Sequence, residues 1–149
     1  MGETSTIEIQ ARMRDINAGG HVDNVEAIRV IDEARLRFLL RADGGVLRRL
    51  PAGVTNLVAS QRVDFRSEMR FAGFQNFEVI QWVGYIGTSS FTVQSELRLP
   101  GGSGAAVVAE SAVVLFDPAT QRSWPITDEV RADLSVYVGA PVALRDRPA

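Results

Sequence analysis

One segment limits what this chain can fold into: NVEAIRVIDEARLRFLL, residues 24–40. Placed at steps of about 100°, its apolar positions cover well over half of a helical circumference, wider than the stripe a surface helix needs. Such a helix has to be enclosed, and the remaining chain is written mostly in strand pattern. Residues 5–13 alternate, with Ile7, Ile9, Ala11 and Met13 on one side and Glu8, Gln10 and Arg12 on the other, which predicts a half-buried strand. After the helix, residues 54–65, 74–86, 90–99 and 104–116 predict four more long strands, separated by the turn-rich SEMRFAG, GTS and PGGSG. Asp23 with Glu26 predicts a capping box at the start of the long helix, and RADGG (41–45) its end. Residues 127–136 predict a short terminal helix capped by Thr127, and the final ALRDRPA is expected to fray.

The predicted class is α+β, a single domain over residues 1–149. Its five-stranded antiparallel sheet curves around the long helix, because only that arrangement buries both apolar surfaces at once. No repeat or low-complexity tract divides the chain.

Composition removes several classes of function. The net charge of -2 argues against nucleic acid, which calls for a basic stripe. With no cysteine there are no disulfides or thiolate metal sites, and a single histidine argues against a dedicated zinc or iron centre. No cofactor is expected. The opening MGETSTIEIQ is neither basic nor apolar, so no secretory signal is expected. The most apolar run, residues 105–116, is too short to span a bilayer and contains Glu110. The expectation is a cytoplasmic protein with no membrane partner.

Within the long helix, Glu26, Arg29, Glu33 and Arg37 fall on one side at ion-pairing intervals, as a solvated edge does. Arg35 falls on the other side, flanked by Ile28, Ile31 and Leu39, with Asn24 along the same line. A guanidinium there keeps its charge and needs partners. Either it ties helix to sheet through a carbonyl or an acid such as Glu110, or it borders a polar site.

RDINAGGHVDN, residues 14–24, crowds Asp15, Asn17, His21, Asp23 and Asn24 in front of that helix. A helix N-terminus offers unpaired N–H groups and partial positive charge, which suits a carbonyl oxygen gaining negative charge in acyl transfer. Gly19 and Gly20 let a ligand come close. The same residues also suit a capped turn.

The chain resembles the hotdog-fold thioesterases of the 4-hydroxybenzoyl-CoA thioesterase type. Their pattern R-x-x-D-x-D-x-x-G-H-V-x-N is matched by Arg12, Asp15, Asn17, Gly20, His21, Val22 and Asn24. Their E-A-R-x-x-F is matched by Glu33, Ala34, Arg35 and Phe38. GTSSF (87–91) is similar to the family's G-x-S-S, and FDPATQRSWPI (116–126) to its last-strand exit. The resemblance implies a homodimer or dimer of dimers hydrolysing an acyl-CoA or acyl-carrier-protein thioester at sites shared between subunits. It places the thioester carbonyl against the backbone N–H groups of Val22, Asp23 and Asn24. Ser89, Ser90, Arg62, Arg66 and Arg70 become candidates for the CoA end, and Phe71, Phe74, Phe77, Trp82 and Phe91 for an acyl or aryl pocket or plain core.

One position departs from the pattern. Where many members carry the catalytic aspartate, this chain has Asn17, which cannot act as nucleophile or base but can hold a water or donate to an oxyanion. Some hotdog thioesterases of enediyne polyketide pathways are similar, with an asparagine there and an arginine at the position of Arg35. A base would then be Asp15, His21 or Glu33. The alternatives are a non-catalytic acyl-thioester binder and an enoyl-thioester hydratase, the latter because DINAGGH is similar to the D-x-N-P-x-H of hotdog hydratases.

Overall fold

Strand alternation and the long apolar helix both appear in the computed structural model, which describes residues 2–41, 44–70, 75–99 and 104–146. The elements are β1 (Ser5–Gln10), a 3-10 turn (Met13–Asp15), α1 (Asn24–Leu40), β2 (Thr55–Phe65), β3 (Asn76–Ile86), β4 (Ser90–Arg98), β5 (Val107–Asp117), the two-residue β6 (Arg122–Ser123) and α2 (Asp128–Ser135). One antiparallel sheet runs in the order β1-β3-β4-β5-β2, with β6 on β5. This is the expected hotdog arrangement, with a short sixth strand added.

The concave face of the sheet presents Phe77, Val79, Val83, Phe91, Val93, Leu97, Ala109, Val113 and Leu115 to Ala27, Val30, Ile31, Ala34, Phe38 and Leu39 of α1. Each fully buried Ile, Leu or Phe stabilises this contact by about 1.5–3 kcal/mol. Enclosure is one-sided: Val25, Leu36 and Leu40 stay exposed, as do Leu57, Val58 and Phe65 on β2. β2 is an edge of the sheet and most of its residues are exposed.

Three expectations change. Met13 does not extend the apolar face of β1; it is exposed, because the Asp15 carboxylate accepts from the Arg12 N–H at 2.7 Å and curls the chain into the 3-10 turn. Asp23 is the N-cap of α1 but no capping box forms, since Glu26 is drawn to Arg29 at 2.8 Å and Arg12 at 3.1 Å. The C-terminal segment does not fray as far as it is described. Residues 137–139 run beside β3 at Val83, with Tyr137 against Phe38, and residues 140–146 cross the convex face of the sheet, where Trp82 Nε1 donates to the Ala140 carbonyl at 2.8 Å and the Val142 N–H to Gln94 Oε1 at 2.9 Å. Val142 and Leu144 form a second apolar cluster there with Trp82 and Val108. The RADGG, SEMRFAG and PGGSG turns lie partly outside the described residues, as do Phe71 and Phe74.

Candidate functional site

The loop between the 3-10 turn and α1 is built by its own polar groups. Asn17 Oδ1 accepts from the N–H groups of Gly19 (3.0 Å) and His21 (3.2 Å), and the Gly20 N–H donates to the Asn17 carbonyl at 3.0 Å. Gly20 sits at φ 78°, a conformation that costs a side-chain-bearing residue. The β2–β3 connection closes over this loop: Val22 N–H donates to the Met69 carbonyl at 2.8 Å, and His21 and Arg70 form a backbone bridge. Between the two segments and the start of α1 opens a cleft of about 380 Å³. Asn17, His21, Asn24, Arg66 and Glu68 supply its polar wall, and Val22, Ala27, Phe65, Met69 and Val107 its apolar one.

Because Asn17 Oδ1 is committed to two loop N–H groups, its amide nitrogen is the end left for a ligand. Asn17 is therefore a donor in the cleft. The expected row of three N–H groups is shorter than supposed. Val22 N–H is used by Met69, and Asp23 N–H donates to the Asp15 carbonyl at 2.8 Å. The N–H of Asn24 opens the first turn of α1, where Asp23 supplies no side-chain cap, and it has no partner among the described residues. Asn17 Nδ2 and the Asn24 N–H are thus two donors on cleft-lining residues without a partner among the described residues.

Asp15 is not brought into the cleft. Its carboxylate is fully buried and accepts from Arg12 Nη2 at 3.0 Å and Arg29 Nη2 at 3.2 Å, besides the Arg12 N–H. Burial works against its charge, but the hydrogen bonds from Arg12 and the charges of Arg29 and Arg12 outweigh it and hold the carboxyl below its ordinary range. Asp15 locks the loop in place and is a poor base. Glu33 is paired with Arg29 and Arg37 on the solvated edge of α1, as its spacing predicted.

Arg35 is 5% exposed and reaches Asp32 Oδ1 at 2.7 Å and Ser111 Oγ at 3.5 Å. Gln61 Nε2 joins the same two atoms, at 2.9 and 3.0 Å. A polar knot of α1, β5 and β2 results, with Asp32 rather than Glu110 as the acid, and Arg35 is not part of the cleft wall. Glu110 instead accepts from Gln94 on the other face.

The candidates for the CoA end divide. Arg66 lines the cleft and also donates to the Ala143 carbonyl of the C-terminal segment. Arg70 is exposed beside His21, and Arg62 pairs with Asp146 at 3.3 Å. Ser89 and Ser90 stand at the β3–β4 hairpin, tied to the segment before α2 by Ile126 N–H on the Thr88 carbonyl and to α2 by Arg131 on the Gly87 carbonyl. Ser90 pairs with Val114 while the cleft reaches Val107, so seven residues of β5 separate them, roughly 23 Å. Within one chain they are at opposite ends of the sheet. Phe77 and Phe91 are core and Trp82 faces the convex cluster; the aromatic ring of the cleft is Phe65.

Sequence reasoning missed Glu68, whose Oε2 lies 3.1 Å from His21 Nε2. An acid in a turn after a strand carries no signal that separates it from a solvated one.

A family model described as the thioesterase-like superfamily matches residues 11–134. No curated protein matches. Among solved structures, a Pseudomonas aeruginosa protein is 25% identical over 94% of each chain, with a TM-score of 0.73. One described as a predicted thioesterase from Bacillus stearothermophilus is 24% identical over 94% of this chain and 100% of its own, with a TM-score of 0.74. A 1,4-dihydroxy-2-naphthoyl-CoA thioesterase from Synechocystis is 14% identical over 89% of this chain and 96% of its own, at 0.73. At such identities the likeness establishes a shared fold. No helix among the described residues is long and apolar enough to cross a membrane.

Proposed function

The chain belongs to the thioesterase-like superfamily, and from that premise we propose that it hydrolyses an acyl-CoA or acyl-carrier-protein thioester in the cleft at the start of α1. The observation that carries this reading is the donor pair. Asn17 Nδ2 and the Asn24 N–H stand at the positive end of a seventeen-residue helix, without partners, in a cleft with apolar walls for an acyl group. Such donors act on the carbonyl oxygen most strongly when it is gaining charge, which is how they lower a barrier. The CoA named for the Synechocystis enzyme is consistent with the carrier.

We further propose that the working unit is a homodimer or a dimer of dimers. Among the described residues β2 has no strand on its outer edge, and it exposes Leu57, Val58 and Phe65, a combination that invites pairing with a second copy. An antiparallel β2–β2 junction carries the Ser89–Ser90 end of one subunit to the same end of the joint sheet as the cleft of the other. That geometry reconciles the distant serines with a shared site. The hydratase alternative needs Asp15 beside the substrate and has no support from its buried ion pairs.

The test is incubation with a panel of acyl-CoAs, following free thiol, enoyl absorbance and melting temperature together. Thiol release is the expected result. Thermal stabilisation without thiol release would make the protein a binder, and loss of enoyl absorbance a hydratase.

A further inference from the structure

With Asn17 unable to take a proton and Asp15 locked away, the hydrolytic reading lacks a base, and the cleft contains one arrangement that supplies it. We infer that His21 is the general base and that Glu68 is the residue that positions it. This rests on the hydrolytic reading above and adds to it a carboxylate from the β2–β3 connection.

His21 Nε2 is sealed from solvent and has no aligned hydrogen bond in the structure. Glu68 Oε2 lies 3.1 Å from it. A buried ring nitrogen left unpaired costs about 1–3 kcal/mol. The Glu68 side chain is 73% exposed and free to rotate into alignment, so the pair closes at little cost. Its backbone is already fixed, since Met69 accepts from Val22 and Arg70 bridges His21. With Nε2–H directed at Glu68, Nδ1 is the basic nitrogen. That edge of the ring faces Gly19, where a Cβ would come within 3.5 Å of Nδ1 and 3.4 Å of Asn17 Oδ1. Glycine at 19 therefore puts no side chain against Nδ1, where the attacking water would stand.

The step balances without a further reactant. Water oxygen attacks the thioester carbon as one of its protons passes to His21 Nδ1, and the carbonyl oxygen takes the negative charge against Asn17 Nδ2 and the Asn24 N–H. The C–S bond then breaks, and the leaving thiolate takes the proton back from Nδ1. Glu68 remains a carboxylate throughout and holds the imidazolium that forms between the two halves. It is a positioning residue; His21 is the catalytic one.

Two measurements test this on the full chain. His21 is the only histidine, so ring N–H signals in an NMR spectrum belong to it alone. Wild type should show a ring N–H protected from exchange, and Glu68→Ala should lose it with an unchanged melting temperature. In the kinetics, Glu68→Ala should lower kcat about 10-fold and leave KM within about twofold. In a His21→Ala background the same change should have no effect, and added imidazole should restore part of the His21→Ala rate. A protected signal that survives Glu68→Ala, or equal falls in both backgrounds, overturns the pairing while hydrolysis stands. Absence of turnover by wild type overturns the function and this role with it.

Discussion

Replacing Asn17 by aspartate separates two kinds of thioesterase site. Asn17 Oδ1 holds the N–H groups of Gly19 and His21 at 3.0 and 3.2 Å, which leaves its nitrogen end for the cleft that the residue lines. Asn17→Asp keeps both acceptor contacts and exchanges only the cleft-facing N–H for a carboxylate oxygen. Its stability should stay within about 0.5 kcal/mol of wild type. Asn17→Ala loses both contacts, which at about 0.5–1.5 kcal/mol each lowers the melting temperature by roughly 2–12 °C. For catalysis the order differs. Losing one oxyanion donor costs about 10²–10³ in kcat, so Asn17→Ala should fall by that factor with KM changed far less. Asn17→Asp should fall at least as far, because it also places negative charge where the carbonyl oxygen gains it. The assay is thiol release under saturating and limiting substrate, with melting curves on the same samples. A rise in rate for Asn17→Asp would refute the donor argument and show a site built for a carboxylate base. Equal rates for the three proteins would remove Asn17 from the mechanism.

Arg35→Ala removes a buried side chain from the knot and the ion pair with the half-exposed Asp32, and should cost roughly 1–3 kcal/mol in denaturant unfolding, with turnover falling as well. A variant unchanged in both would show the side chain idle. The depressed carboxyl of Asp15 contributes stability that is complete above the unfolded carboxylate range near pH 4 and is lost as pH falls through the lower folded value. Asp15→Asn should therefore be less stable than wild type by about 2–3 kcal/mol at pH 7, a gap that narrows below about pH 4; a constant gap would contradict the ion-pair account. Leu57→Asp with Val58→Asp on the β2 edge should halve the mass found by light scattering and reduce hydrolysis, whereas a wild-type monomer that hydrolyses thioesters would dispose of the shared site.

The helix and strands were legible because burial writes itself into periodicity: Ile7 and Ile9 alternate with polar neighbours, and the apolar breadth of residues 24–40 demanded an enclosing sheet. The cleft was legible as a loop, through the density of Asn17, His21 and Asn24 around two glycines. What stayed hidden depends on contacts between distant segments. The use of the Val22 and Asp23 N–H groups is decided by where Met69 and Asp15 present their carbonyls. The lock on Asp15 needs Arg29, fourteen residues away, to turn back over the loop. The strap at 137–146 has apolar residues of its own, Val142 and Leu144 among them, but its course is fixed by Trp82 and Gln94, whose strand pattern gave no hint of a partner outside the sheet.

The proposed seat of the thioester carbonyl is on Asn17 and Asn24 at the start of α1. The most direct measurement is a crystal structure with a ketone analogue of an acyl-CoA, in which a methylene replaces the sulfur. The account predicts the ketone oxygen about 3 Å from both Asn17 Nδ2 and the Asn24 N–H, with the acyl group against Phe65 and Met69. An analogue seated elsewhere, with its carbonyl on Arg35 or away from the helix N-terminus, would contradict it.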